Sequence, residues 1–172
     1  MLKKKIIILG ATGMLGSQIT RFFYNTNNYH ILCIIRNKKK FNLLNLNSNK
    51  FLHVICISFN DTKNIEKTIK NFKPDYLINC VGMVKQIMNS KNKKLTHFVN
   101  VNIPKILSKF ALNQNFKLIH FSTDCVFSGK KGNYKENNKP DCIDYYGITK
   151  LKGEIKSKNT INLRTSIIGH EL

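Results

Sequence analysis

Ile6-Ile7-Ile8-Leu9-Gly10-Ala11-Thr12-Gly13-Met14-Leu15-Gly16 is the stretch that decides the fold. Its first four residues are apolar and mostly β-branched, which reads as a short buried strand ending at a glycine. Over residues 14–24 the apolar side chains fall at Leu15, Ile19, Phe22 and Phe23, the spacing of one helical face. Strand, glycine turn and helix in this order give the context that a dinucleotide fingerprint needs. Glycines permit a tight turn and a close approach of backbone to pyrophosphate, and the helix N-terminus supplies free N–H groups and positive dipole. The cofactor reading therefore takes Gly10, Thr12, Gly13, Met14, Leu15 and Gly16 as the phosphate end. The spacing is G-x-x-G-x-x-G, not the commoner G-x-G-x-x-G, and a merely tight strand-to-helix turn would show the same glycines.

Outward from that stretch the pattern alternates. A second apolar run covers residues 30–35, followed by Phe41, Leu43, Leu44 and Leu46 in what reads as a short helix. A third strand is expected at 52–57. Asp61 or Thr62 caps a helix running through Phe72, with Ile65 and Ile69 on one face, and Pro74 closes the connection before a strand at 76–80. Residues 95–113 read as helical, with Pro104 near a first turn or at a kink. A fifth strand at 117–122, a polar loop at 123–141, a helix at 144–156 and a sixth strand at 160–168 complete the chain. Strands apolar throughout, separated by helices, imply a parallel sheet covered on both faces. The expectation is a doubly wound, Rossmann-like α/β fold of about six strands, one domain over residues 1–172.

The composition narrows the classes. A chain of 172 residues with 42% hydrophobic content can bury a real core. No apolar run approaches the ~20 residues that span a bilayer, and residues 1–9 lack a signal-peptide pattern, so a cytoplasmic protein is expected. Cys33, Cys56, Cys80, Cys125 and Cys142 form no Cys-x-x-Cys pair and no zinc spacing; reduced thiols and no metal site are expected. His170 beside Glu171 reads as a surface pair, and Cys125, with no histidine placed beside it, as a small packed residue. The net charge of +20 is the footprint sought in nucleic-acid binders, yet it rests on lysines, with Arg21, Arg36 and Arg164 as the arginines. Clusters at 3–5, 38–40 and 91–94 attract polyanions nonspecifically. No aromatic-and-basic recognition motif accompanies them, so specific nucleic-acid binding is not expected.

Three further places carry chemistry. After the second strand stand Arg36, Asn37 and three lysines, with no acid. An acid there would bind the ribose of NAD and an arginine suits the 2′-phosphate of NADP, so NADP is favoured, with an ordinary solvated basic loop as the other reading of Arg36. The fourth strand ends in Asn79-Cys80-Val81-Gly82 on the same edge, where Cys80, Val81 and Gly82 can pass their backbone beside the nicotinamide ribose. Ser122-Thr123-Asp124 ends the fifth strand, where a hydroxyl can bond a substrate carbonyl or simply cap the chain. Tyr146 and Lys150 lie four apart, on one face if their segment is helical. A neighbouring cation favours phenolate and lowers a phenol's pKa from about 10, which would make a tuned acid. Tyr-x-x-x-Lys also arises by chance on surface helices. The rival phenol, Tyr145, has Thr149 four residues on, not a lysine.

Taken together, Gly-Ala-Thr-Gly-Met-Leu-Gly at 10–16, Pro-Asp-Tyr-Leu-Ile-Asn-Cys-Val-Gly at 74–82, Ser-Thr-Asp-Cys-Val-Phe-Ser-Gly at 122–129, Tyr-Gly-Ile-Thr-Lys-Leu-Lys-Gly-Glu at 146–154 and Leu-Arg-Thr-Ser at 163–166 resemble the extended short-chain dehydrogenase/reductases. Within these the chain resembles the dTDP-4-dehydrorhamnose reductase-like sugar-nucleotide enzymes, over nearly its whole length. The resemblance implies a catalytic hydroxyl at Thr123, a proton donor at Tyr146 and a supporting lysine at Lys150, which would also bind the cofactor ribose, with Tyr146 too among the cofactor-binding residues. It places Asn100 as a helix asparagine near the active site. It implies NADP(H)-dependent reduction of a nucleotide-linked 4-keto-6-deoxysugar in surface polysaccharide synthesis. A nucleotide-sugar epimerase or dehydratase, and a noncatalytic NADP-binding regulatory subunit, are the alternatives. Such enzymes continue for on the order of a hundred further residues, so a C-terminally truncated chain lacking most of the substrate lobe is expected. The open partner readings are a homodimer and a separate C-terminal piece.

Overall fold

The computed structural model describes residues 3–47, 51–84, 92–169 and 172. The readings at His170, Glu171 and Lys91 lie outside the described residues. Among these, six strands form one parallel sheet: β1 (Lys4–Leu9), β2 (Tyr29–Ile35), β3 (Leu52–Cys56), β4 (Tyr76–Asn79), β5 (Lys117–Phe121) and β6 (Thr160–Leu163), in the order β3-β2-β1-β4-β5-β6. Helices α1 (Met14–Thr26), α2 (Lys38–Asn42), α3 (Thr62–Phe72), α4 (Lys93–His97), α5 (Ile103–Gln114) and α6 (Tyr145–Lys152) connect them. This is the doubly wound fold expected from the alternation, and its order reverses beside β1, so the first strand's C-terminal end opens the ligand crevice.

The apolar runs have a simple cause. Ile7, Leu9, Leu32, Ile34, Leu77 and Leu118 pack on one face of the sheet with Ile65 and Ile69 of α3 and Leu107 and Phe110 of α5. Ile6, Ile8, Ile31, Cys33, Ile35 and Ile78 pack on the other with Phe41 of α2, and Ile19 and Phe23 of α1 lie against them. Both faces of each central strand are thus spent, and each fully buried Ile or Leu contributes about 1.5–3 kcal/mol relative to exposure. Among the described residues β6 pairs with β5 alone, and its residues alternate between partly buried and exposed.

Where the elements differ from expectation, packing explains it. The helix expected at 95–113 is α4 and α5 joined by a wide turn at Phe98–Asn102, in which the Ile103 N–H reaches back five residues to the Phe98 carbonyl. Pro104 has no N–H to give the Asn100 carbonyl four residues earlier, so the regular ladder cannot run through it. That carbonyl instead receives α6: a Cβ on Gly153 would lie 2.1 Å from it. Docking there ends α6 at Lys152, short of the expected residue 156. The sixth strand stops at Leu163, not at 168, because Arg164 turns out of the sheet to meet Glu154.

Candidate active site

The β1–α1 turn is built from backbone. Gly10 has φ +85°, a left-handed conformation that suits glycine, and its N–H donates to the Ile34 carbonyl at 2.9 Å. A Cβ on Gly16 would lie 2.1 Å from the Gly10 carbonyl oxygen, so helix and turn touch through bare backbone. Gly13 is different. Its backbone, φ −81° and ψ 169°, suits any residue, and a Cβ there would meet nothing nearer than the Gly10 carbonyl at 3.6 Å. It also heads α1 without a side-chain cap, and α1 has no acid in its first turn. The first N–H groups of the helix therefore have no side-chain acceptor among the described residues. These features fit a dinucleotide pyrophosphate, held by the turn from Gly10 to Gly16 with Thr12, Met14 and Leu15 on its rim. Arg36 follows β2 directly and is exposed, with no ion pair among the described residues; Asn37 caps α2 by accepting the Lys40 N–H.

The far end of the crevice is held by side chains. Lys150 is only 6% exposed, and its ammonium donates to the Phe121 carbonyl at 2.6 Å. It also faces Gly82, where a Cβ would lie 3.6 Å from Nζ. Asn100 accepts the Met83 N–H at 2.8 Å and donates to the Met83 carbonyl at 3.1 Å and to Thr149 Oγ1 at 3.2 Å. One carboxamide thus ties the wide turn, the segment after β4 and α6 together. The backbone at Cys80, Val81 and Gly82 reaches the crevice beside β1, since the Cys80 N–H donates to the Leu9 carbonyl at 2.9 Å.

Tyr146 sits in the first turn of α6, whose N-cap, Asp144, accepts the Gly147 N–H at 3.0 Å. A Cβ on Gly147 would come within 2.3 Å of the Cys125 carbonyl, so glycine lets α6 settle on the 123–126 segment and brings the phenol to Thr123. Thr123 is buried; its hydroxyl donates to Asp124 Oδ1 at 3.1 Å and accepts the Cys125 N–H at 3.2 Å. Of the two hydroxyls that the sequence offered here, Ser122 is committed elsewhere, donating to Glu154 Oε1 at 2.6 Å. Tyr145 points away and donates to the Lys93 carbonyl at 3.1 Å.

The electrostatics correct one expectation. The Tyr146 phenol is not pulled below its ordinary value: burial raises its pKa, and hydrogen bonding with Thr123 opposes that rise. Lys150 is itself moved, because burial drives its pKa down to about 8 against the pull of Glu154. Its charge is directed at the Phe121 carbonyl and Gly82, and the hydroxyl that assists the phenol is Thr123.

Two supports went unread in the sequence. Glu154 takes a bidentate bond from Arg164, at 2.9 and 2.8 Å, as well as the Ser122 hydroxyl, locking the ends of β5, α6 and β6. The signal was present as the glutamate and arginine inside two of the quoted motifs. His120, buried on β5, meets Asn79 Nδ2 through Nδ1 at 3.1 Å, while Asn79 Oδ1 accepts the Val81 N–H at 3.1 Å. Burial and the nearby Lys150 hold this imidazole neutral, with its pKa lowered to about 3. Beyond Thr123 an open groove of about 430 Å³ is lined by Asp124, Cys125, Phe127, Tyr134, Lys135 and Arg164 among others.

Fold and crevice together define a doubly wound, Rossmann-like α/β chain with Thr123, Tyr146 and Lys150 beyond the C-terminal ends of β4 and β5. The chain belongs to the RmlD substrate binding domain family, whose model matches residues 4–168. It is 31% identical over 153 residues to methionine adenosyltransferase 2 subunit beta of Xenopus laevis, covering 88% of this chain and 42% of that one. It is 28% identical over 169 residues to dTDP-4-dehydrorhamnose reductase of Aggregatibacter actinomycetemcomitans, covering 94% of this chain and 51% of the relative. The structure of dTDP-4-dehydrorhamnose reductase from Bacillus anthracis in complex with NADP shares the fold, with a TM-score of 0.75 at 22% identity over 95% of this chain and 54% of that one. The chain thus spans about half the length of the curated relatives it matches. Among the described residues no helix is long and apolar enough to cross a membrane, and no cluster of three or more metal-ligating side chains occurs.

Proposed function

We propose that this chain is the cofactor-binding unit of an NADPH-dependent reductase acting on a nucleotide-linked 4-keto-6-deoxysugar. The observation that carries the reading is the convergence of Thr123, Tyr146 and Lys150 at the same sheet edge as the open Gly13 turn. NADPH, when bound, supplies a hydride to the sugar carbonyl carbon. Thr123, its hydroxyl turned from Asp124 to the substrate, and Tyr146 hold the carbonyl oxygen, and Tyr146 gives its proton to that oxygen as negative charge develops. A phenol whose pKa is raised stays protonated at neutral pH, as a donor must. Lys150, fixed by the Phe121 carbonyl, presents its positive charge beside Gly82 to the cofactor ribose. Arg36 and the lysines of α2 take the adenosine 2′-phosphate.

A second reading has an observation of its own: relatives named as the beta subunit of methionine adenosyltransferase 2 match at 28–31% identity, which supports a noncatalytic dinucleotide-binding regulatory subunit. The test is NADPH oxidation by the purified chain with a dTDP-4-keto-6-deoxysugar, beside Tyr146→Phe. Turnover in the parent and its loss in the variant support the reductase, and net NADPH consumption separates it from an epimerase or dehydratase. Saturable NADPH binding without consumption in either protein supports the regulatory subunit.

A further inference from the structure

Arg36 and Phe59 meet at the crevice edge farthest from Tyr146. The guanidinium carbon lies 4.9 Å from the centroid of the Phe59 ring, the range of a cation–π contact. Backbone holds both partners. Ile35 pairs in register with Cys56, and the Ile57 N–H donates to the Ile35 carbonyl at 2.9 Å, so the exits of β2 and β3 run side by side. Phe59 then occupies a closed turn in which the Asp61 N–H donates to the Ser58 carbonyl at 2.9 Å. The one nearby carboxylate in that turn, Asp61, is engaged by Asn64, accepting its backbone N–H at 3.2 Å and its side-chain amide at 2.6 Å. Arg36 is therefore fixed by a ring face and neutralised by no carboxylate among the described residues.

Arg164 also lies over a ring, 5.1 Å from the centroid of Phe127, but it is paired with Glu154, whereas Arg36 has its ring contact without an ion pair among the described residues. A lysine on a flexible stem must lose rotamer freedom to hold a phosphate, whereas a guanidinium stacked on a ring is already oriented and keeps its in-plane N–H donors free. We infer that Phe59 is a positioning residue for cofactor choice: it holds the Arg36 guanidinium over its ring, where the free N–H donors meet the adenosine 2′-phosphate, and so favours NADPH over NADH. The inference rests on the proposed NADPH site and adds a residue to it. Phe59 touches neither the phosphate nor the reacting carbon, and its effect passes through Arg36.

The experiment is a fluorescence titration with NADPH and NADH of the parent chain and of Arg36→Ala, Phe59→Leu and Phe59→Trp. Leucine keeps apolar bulk without a π face, and tryptophan restores the face. Phe59→Leu is expected to weaken NADPH binding about two- to fivefold, the factor that an exposed cation–π contact carries, with NADH binding unchanged. Phe59→Trp is expected to restore the parent ratio of affinities, and Arg36→Ala to abolish the NADPH preference. Equal weakening of both dinucleotides in Phe59→Leu, or no change in either, overturns the role of Phe59 while the NADPH site stands. Failure of the parent chain to prefer NADPH overturns the site and the inference with it.

Discussion

At the β1–α1 turn the fit is made by backbone, whereas around α6 it is made by buried polar side chains, and the two regions answer differently to substitution. Gly10 and Gly16 are required by contacts within the protein, since added Cβ atoms would meet Val81 at 2.9 Å and the Gly10 carbonyl at 2.1 Å. At Gly13 a Cβ would meet nothing nearer than 3.6 Å among the described residues, so packing does not require glycine there. Around α6 three polar groups have specific partners: Lys150 the Phe121 carbonyl, Asn100 the Met83 backbone, Glu154 both Arg164 and Ser122. A glycine turn can thus be conserved in form by packing alone, while the side-chain network records a demand for placed charge and placed donors.

The largest effect is expected at the side-chain end. Tyr146→Phe removes the proton donor and should lower kcat about 10²- to 10⁴-fold in the NADPH oxidation assay while leaving dinucleotide binding intact. A variant that keeps its rate would transfer the donor role elsewhere. Gly16→Ala tests the backbone end: with a Cβ inside the Gly10 carbonyl, thermal or denaturant unfolding should register a loss of about 3 kcal/mol. Gly13→Ala should cost under about 1 kcal/mol. Comparable losses for the two glycines would erase the distinction drawn between them.

A further effect, small per unit, is set by pH. The folded-state pKa of His120, about 3, lies below its ordinary 6.5, so the unfolded chain binds the proton first. Its contribution to stability is complete above pH 6.5 and is lost as pH falls from there toward 3, at up to about 1.4 kcal/mol per unit. His30, also lowered by burial, acts with the same sign. His120→Asn should flatten stability between pH 6.5 and 4, and an unchanged slope would assign the acid sensitivity to other groups. The smallest contrast compares the two ion pairs. Glu154→Gln breaks a pair whose side chains are 12% and 23% exposed and should cost about 2 kcal/mol, whereas Lys4→Met removes an exposed partner of Asp75 and should leave the midpoint within error.

The sequence was legible where local pattern and tertiary demand coincide. Runs such as Ile6 to Leu9 read directly as central strands because both of their faces are buried, and the turn from Gly10 to Gly16 read as a strand-to-helix junction because the apolar pattern changes period across it. Thr123, Tyr146 and Lys150 were placed by their motifs, and the fold brings them to one edge. What could not be read depends on contacts between distant segments. Pro104 announced a distortion, yet its form follows from the Asn100 carbonyl meeting Gly153, 53 residues later in the chain. The pairing of Tyr146 with Lys150 suggested a lowered phenol pKa, but burial dominates and the ammonium is turned to the Phe121 carbonyl. The choice of Ser122 for Glu154, leaving Thr123 at the crevice, is likewise invisible in a string where the two hydroxyls are adjacent.

The central claim is that the space beside Gly13 is a dinucleotide site. Its most direct test is a titration of the parent chain and Gly13→Ala with NADPH, with unfolding midpoints recorded on the same samples. The account requires saturable binding by the parent and at least tenfold weaker binding by a Gly13→Ala variant of nearly unchanged stability. A folded parent chain that binds no NADPH, or a Gly13→Ala variant that binds it as the parent does, would contradict the account.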